Sequence, residues 1–213
     1  AQIAALSTDQ WSSLSTDSVS NLKAWQIAAM TTQQVASLST DQLSSLTTAQ
    51  LSGMGTALIA SITTDGIQAL GTDQVQSLTT SQMAALTTAQ VVALTTDQVG
   101  SSKNTQLAAM TTTQIEAMET DDLSYLSTAQ LGSLTTAQIA ALTTDQWSSL
   151  STDSVSNLKA WQIAAMTTQQ VAAMTTAQVV ALKTEQVQAL TTAQIEAMTT
   201  EQVANLTTEQ IVS

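Results

Sequence analysis

Large apolar residues recur along this chain at two positions in every eight. With Ser7–Leu14 taken as one unit, position eight reads Leu14, Leu22, Met30, Leu38, Leu46, Met54, Ile62 and onward to Leu206, broken only at Ser102. Position five reads Trp11, Val19, Ile27, Val35, Leu43, Leu51, Ile59 and onward to Ile211. Positions one to four follow the consensus Thr-Thr-Asp/Ala-Gln, and positions six and seven are mostly small. The register holds through 7–14, 15–22 and every later unit. It predicts a single continuous octapeptide array over 1–213, each octad a structural unit stacked on others.

The spacing favours helix within the octad. Ala, Gln, Leu and Met are good helix formers. Strand alternation would place the large apolar residues two apart; here they fall at five and eight, the i, i+3 spacing of one helix face. One unbroken helix does not fit. Eight residues advance a stripe by about 80° per unit on a helix of 3.6 residues per turn, so the apolar seam would wind rapidly round it. The recurrent Thr-Thr pair also disfavours a helix interior. The expectation is therefore an all-α fold: an α-solenoid of short capped helices, one per eight-residue repeat. A β-solenoid is the alternative.

Each octad opens with its own start signal. Ser7-Thr8-Asp9-Gln10, Thr47-Thr48-Ala49-Gln50 and Thr143-Thr144-Asp145-Gln146 read as capping boxes, a hydroxyl first and Gln three later. Twelve of the 16 acids stand at position three, where a carboxylate complements a helix N-terminus. All four Lys stand at position one, which is thereby expected to face solvent. One observation strains this reading. Position two is Thr in 23 of 26 units, more uniform than position one, so either could be the cap. The structural ladder is expected at Thr8, Thr40, Thr48, Thr88, Thr96 and Thr144 with Gln10, Gln42, Gln50, Gln90, Gln98 and Gln146. The core is expected at Leu14, Val35, Leu38, Val91, Leu94, Ile139 and Leu142.

A helix of six or seven residues is not stable alone. Stacking must stabilise it, and small residues at position seven should allow close approach between neighbours. A second period lies above the first: Trp11–Ala36 is identical to 147–172, an offset of 17 octads. Because 17 is odd, a coil of two alternating unit types would place the copy out of phase. All units are therefore expected to be equivalent. Ala1 falls at position three and Ser213 at position seven, which reads as an excerpt of a longer array.

Composition narrows the function classes. The chain has no Pro, Phe, Cys, His or Arg and a net charge of −12. Four Lys are too few for a phosphate-binding surface, which argues against nucleic acid, and the charge argues against anionic membranes. No run of 18 apolar residues exists to span a bilayer. Without Cys or His the usual transition-metal ligands are missing. No His can serve as base to the many hydroxyls, so no catalytic residue and no cofactor are assigned. Glu116, Glu119, Asp121 and Asp122 form the densest charge, a weak candidate for a hard cation such as Ca²⁺. Trp11 and Trp147, at position five, are expected in the core; Trp25 and Trp161, at position three, on the surface. Val99–Asn104, with Ser at the Leu slot, is expected to be the weakest joint, and Gly53 and Gly55 mark another.

The Leu-Thr-Thr-Asp-Gln style of Leu142–Leu150 and of the stretch from Leu94 resembles Thr/Ala/Gln-rich repeat tracts of very large secreted or surface bacterial proteins. That resemblance spans the chain and implies a stalk, spacer or fibre, extracellular or at the cell surface. It transfers no functional residues. Self-association, or contact with neighbouring array copies, is the expected partnership. Two further classes are open. Thr ladders and tandem copying suit an ice-binding or ice-nucleating surface, although the Gly/Tyr-rich octads of ice-nucleation proteins are not seen. A partner-binding α-solenoid would vary on one face, whereas the exposed positions here are monotonous.

Overall fold

The structure is a computed structural model and describes residues 5–212. Ala1 and Ser213, on which the excerpt reading rests, lie outside them. The described residues form 26 short helices, from Thr8–Ser12 to Thr208–Ile211, one in each octad. No strand occurs among these residues, which sets the β-solenoid aside. Each helix spans only four to six residues.

Its start is fixed at position one. Thr87 is extended (φ −71°, ψ 158°) and its Oγ1 accepts the Gln90 N–H at 3.2 Å. Gln90 Oε1 reaches back to accept the Thr87 N–H at 2.8 Å. The helix stops because the backbone turns extended again about the joint. Leu78 (ψ 136°) and Thr79 (ψ 162°) are two such residues in succession. No described residue needs positive φ, so the turn between helices requires no glycine. Where Lys occupies position one, as at Lys23 and Lys159, the hydroxyl half of the box is missing and the Gln half remains.

This resolves the competition between the two threonines. Position one is the cap; position two is the first residue inside the helix and its side chain is exposed in most octads. Thr95→Ala should therefore cost about 1 kcal/mol, and Thr96→Val close to nothing. Thermal melts of the two variants check it. A larger loss at Thr96 would reassign the cap.

The chain divides into two compact units, Ala1–Met110 and Thr111–Ser213. Within each, the helices that pack together are three apart in sequence: Thr40–Ser44 on Thr64–Gln68 in the first, Thr152–Ser156 on Thr176–Ala181 in the second. Successive octads thus travel round a coil, and each unit is an α-solenoid by itself. Positions five and eight form its core. Val35, Leu38, Val91, Leu94, Ile139 and Leu142 are buried as expected, and Trp11 and Trp147 are fully enclosed. Leu14 is only half-buried, because it lies in the first octads, where fewer neighbours cover it. Position seven is half-exposed in most octads. Small residues there serve the helix end: Ser45 and Ser149 hydroxyls donate to the carbonyls of Gln42 and Gln146. At Gly53 a Cβ would stand in ordinary contact with a neighbouring helix, 3.5 Å from Ala24 Cβ.

Candidate functional site

Position four holds the side chain with the most consequence. Gln90 is 2 % exposed and uses every part of its amide. Its Oε1 completes the cap of its own octad, while its Nε2 donates to Ile59 O at 2.9 Å and Ile62 O at 2.7 Å. Those carbonyls are 31 and 28 residues earlier, positions five and eight of the octad four units back. The pattern repeats with nearly the same distances. Gln42 donates to Trp11 and Leu14, Gln50 to Val19 and Leu22, and Gln98 to Ile67 and Leu70. In the second unit Gln146 donates to Ile115 and Met118, and Gln210 to Val179 and Leu182. A buried amide that is fully bonded fixes register as well as stability, since any other placement leaves it orphaned.

The capping motif alone does not account for this. Glu completes a capping box as well as Gln. Yet position four carries 22 Gln and no Glu. The missing Glu was the available sign that the amide donor matters beyond the octad.

The threonine ladder has the opposite character. Thr8, Thr40, Thr48, Thr88 and Thr144 are exposed and Thr96 is half-exposed. Their hydroxyls bond to nothing among the described residues. Uniform Thr at position two is therefore a property of the surface rather than of the fold. Trp25 and Trp161 also face solvent, at 65 % and 43 %, with Lys159 Nζ 5.5 Å over the Trp161 ring.

Departures from the consensus are absorbed locally. Ser102 is buried in the Leu slot, and its hydroxyl donates to Gln98 O at 3.1 Å. At Gly66, where the bridging Gln is missing, Leu43 Cδ1 occupies the space a Cβ would take, and that Cβ would lie 2.9 Å from Ile62 Cγ2. Glu116, Glu119 and Asp121 lie on the surface, whereas Asp122 occupies position four and is 2 % exposed. The four do not converge. No group of three acidic side chains suited to a metal ion is found among the described residues.

Asp122 Oδ2 is buried with no hydrogen-bond partner among these residues. Burial, reinforced by the charges of Glu119 and Asp121, raises its carboxyl from 3.8 to about 6. Between those values the folded chain holds a proton that the unfolded chain has released. Stability therefore falls as pH rises through that window, and ionised Asp122 opposes folding at pH 7. Asp122→Asn should raise the melting temperature by about 2–4 °C at pH 7 and make little difference near pH 4. Equal melting of the two proteins at both pH values would show that the carboxyl is not strained.

These geometries give a context to the comparison with known families. A family model, the ALTTAQ repeat, matches residues 47–80, 76–101, 115–152, 153–184 and 179–213, together more than half of the chain. The chain belongs to the ALTTAQ repeat family. A comparison with curated proteins finds no match. The six letters occur as Ala85-Leu86-Thr87-Thr88-Ala89-Gln90 and as Ala189–Gln194. They name the joint rather than the helix: the end of one octad, the cap of the next, and the bridging Gln. The ALTTAQ motif thus holds the cap and the side-chain donor of the bridge, whereas position five, outside it, contributes an apolar side chain and an acceptor carbonyl.

Proposed function

We propose that this ALTTAQ array is a structural element, a spacer, stalk or filament-forming segment working outside the cell or at its surface, and not an enzyme. The observation that carries this reading is the repeated Gln bridge. The same hydrogen bonds recur from octad to octad, so length can be added without redesigning any one of them. The resemblance to repeat tracts of large secreted bacterial proteins supports the location. No described helix is long and apolar enough to cross a membrane.

Small-angle scattering tests the spacer reading. A tandem of two copies should roughly double the maximum dimension of one at an unchanged cross-section. A tandem that instead thickens would overturn it. Antibody labelling of intact source cells tests the location, and staining only after lysis would remove it. A second reading rests on the unbonded Thr hydroxyls at position two, which suit an ice-binding surface. Thermal hysteresis in dilute protein decides that reading, and its absence ends it.

A further inference from the structure

Position two of the octad carries a requirement that the fold does not make. It is Thr in 23 of 26 units and Ser in none. Position one, whose hydroxyl the cap uses, takes Ser as well as Thr, at Ser7, Ser15, Ser39, Ser127 and Ser151. Tandem copying alone would have left both positions equally uniform. Helix formation does not ask for Thr either. Ala is the better helix former, and Ala24 and Ala160 open their helices at this position as Thr does elsewhere. The position-two threonines are exposed, apart from half-buried Thr96, Thr120 and Thr176. Their hydroxyls make no hydrogen bond among the described residues. Both parts of the side chain therefore serve something outside the array: the hydroxyl because the fold leaves it unused, the methyl because Ser never replaces it.

We infer that these threonines are acceptors for O-linked sugars. The inference goes beyond the structural reading and stands apart from it. In the transfer, the Thr Oγ1 attacks the anomeric carbon of a nucleoside-diphosphate sugar held by a transferase. The glycosidic C–O bond forms as the bond to the diphosphate breaks. The electron pair of that bond leaves with the nucleoside diphosphate, and the hydroxyl proton passes to a base of the transferase. The branched Cβ accounts for the missing Ser: it restricts χ1, so a linked sugar leaves the helix in a narrow range of directions. At position one the cap hydrogen bond sets the direction of the hydroxyl, and Ser suffices. Charge selects a neutral group over a phosphate. Each of the twelve position-three acids directly follows a position-two Thr. Helices that carry such pairs also pack on one another: Thr16–Ser20 on Thr40–Ser44, Thr72–Ser77 on Thr96–Ser101 and, in the second unit, Thr120–Tyr125 on Thr144–Ser149. A phosphate, with about two negative charges at neutral pH, would stack like charge on like charge along these rows. A sugar adds none.

Mass spectrometry of the protein taken from its source cells tests the proposal. Tryptic cleavage after Lys103 and Lys159 releases the stretch 104–159, and electron-transfer fragmentation assigns any added mass to a residue. Sugar should be found on Thr112, Thr128, Thr136 and Thr144. It should be missing from the caps Thr111, Thr135 and Thr143, whose hydroxyls accept the N–H of Gln114, Gln138 and Gln146. Thr144→Val, produced in the same cells, should lose the sugar of its own octad alone, with an unchanged circular dichroism spectrum. Bare threonines throughout overturn the proposal, and so does phosphate in place of sugar. Sugar on the caps overturns it as well, since the unused hydroxyls would then not be what the transferase selects. The same spectra bear on the ice-binding reading, because sugars would cover the surface that it requires bare.

Discussion

Gln90→Glu lowers the local stability of the array by about 3–5 kcal/mol at neutral pH, while Gln10→Glu leaves it unchanged. The two substitutions are chemically identical, and both preserve the acceptor that completes the cap. They differ in what the second terminal atom meets. At Gln90 the Nε2 faces two carbonyl oxygens at 2.7 and 2.9 Å, so a carboxylate there is buried against negative dipoles. At Gln10 it faces solvent. The buried carboxyl is driven to a raised pKa, so acidification restores part of the loss at residue 90 and does nothing at residue 10. Gln90→Met, which removes the donor without adding charge, falls between, at about 1–3 kcal/mol. Hydrogen exchange at the amides of octad 87–94 is the suitable measurement, because an array does not unfold in one step. Equal effects at the two sites would show that the bridge contributes nothing.

Leu94→Asp should cost a similar amount, by leaving an unpaired charge in an apolar slot that is 6 % exposed. The informative part is where the damage appears. Leu94 ends the octad whose helix, Thr88–Val92, packs on Thr64–Gln68, three units back along the chain. Protection should therefore fall at 64–68 as well as at 88–94, with the helix Thr80–Ala84, nearer in sequence, less affected. Loss graded simply by sequence distance would contradict the coil described here.

Much of the octad was legible in the sequence. The helix, its restart and its cap followed from Thr-Thr-x-Gln and from apolar residues three apart, because those features are local. The Thr at position two misled in one respect: its uniformity suggested a cap, whereas Thr87 and its counterparts at position one hold that role. The offset between packed octads was not legible. By sequence, Gln90 could meet the carbonyls of any earlier octad equally well, because identical units carry no record of which one lies beneath. That choice depends on the angle turned at each extended joint, such as Leu78–Thr79, and emerges only in three dimensions. Asp122 shows the same limit. In the sequence it is one member of an acidic cluster; in the fold it is separated from the others by pointing inward.

The backward reach of Gln42 onto Trp11 and Leu14 also sets an order of events during synthesis. Every amide finds its acceptors among residues already made. An octad emerging from the ribosome can be pinned at once onto the growing coil, without waiting for sequence still to be translated. The apolar side chain at position five is the part left unshielded, until the octad three units later has followed and packed on it. A nascent array of this kind carries a short, constant length of sticky surface at its growing tip, whatever its final size.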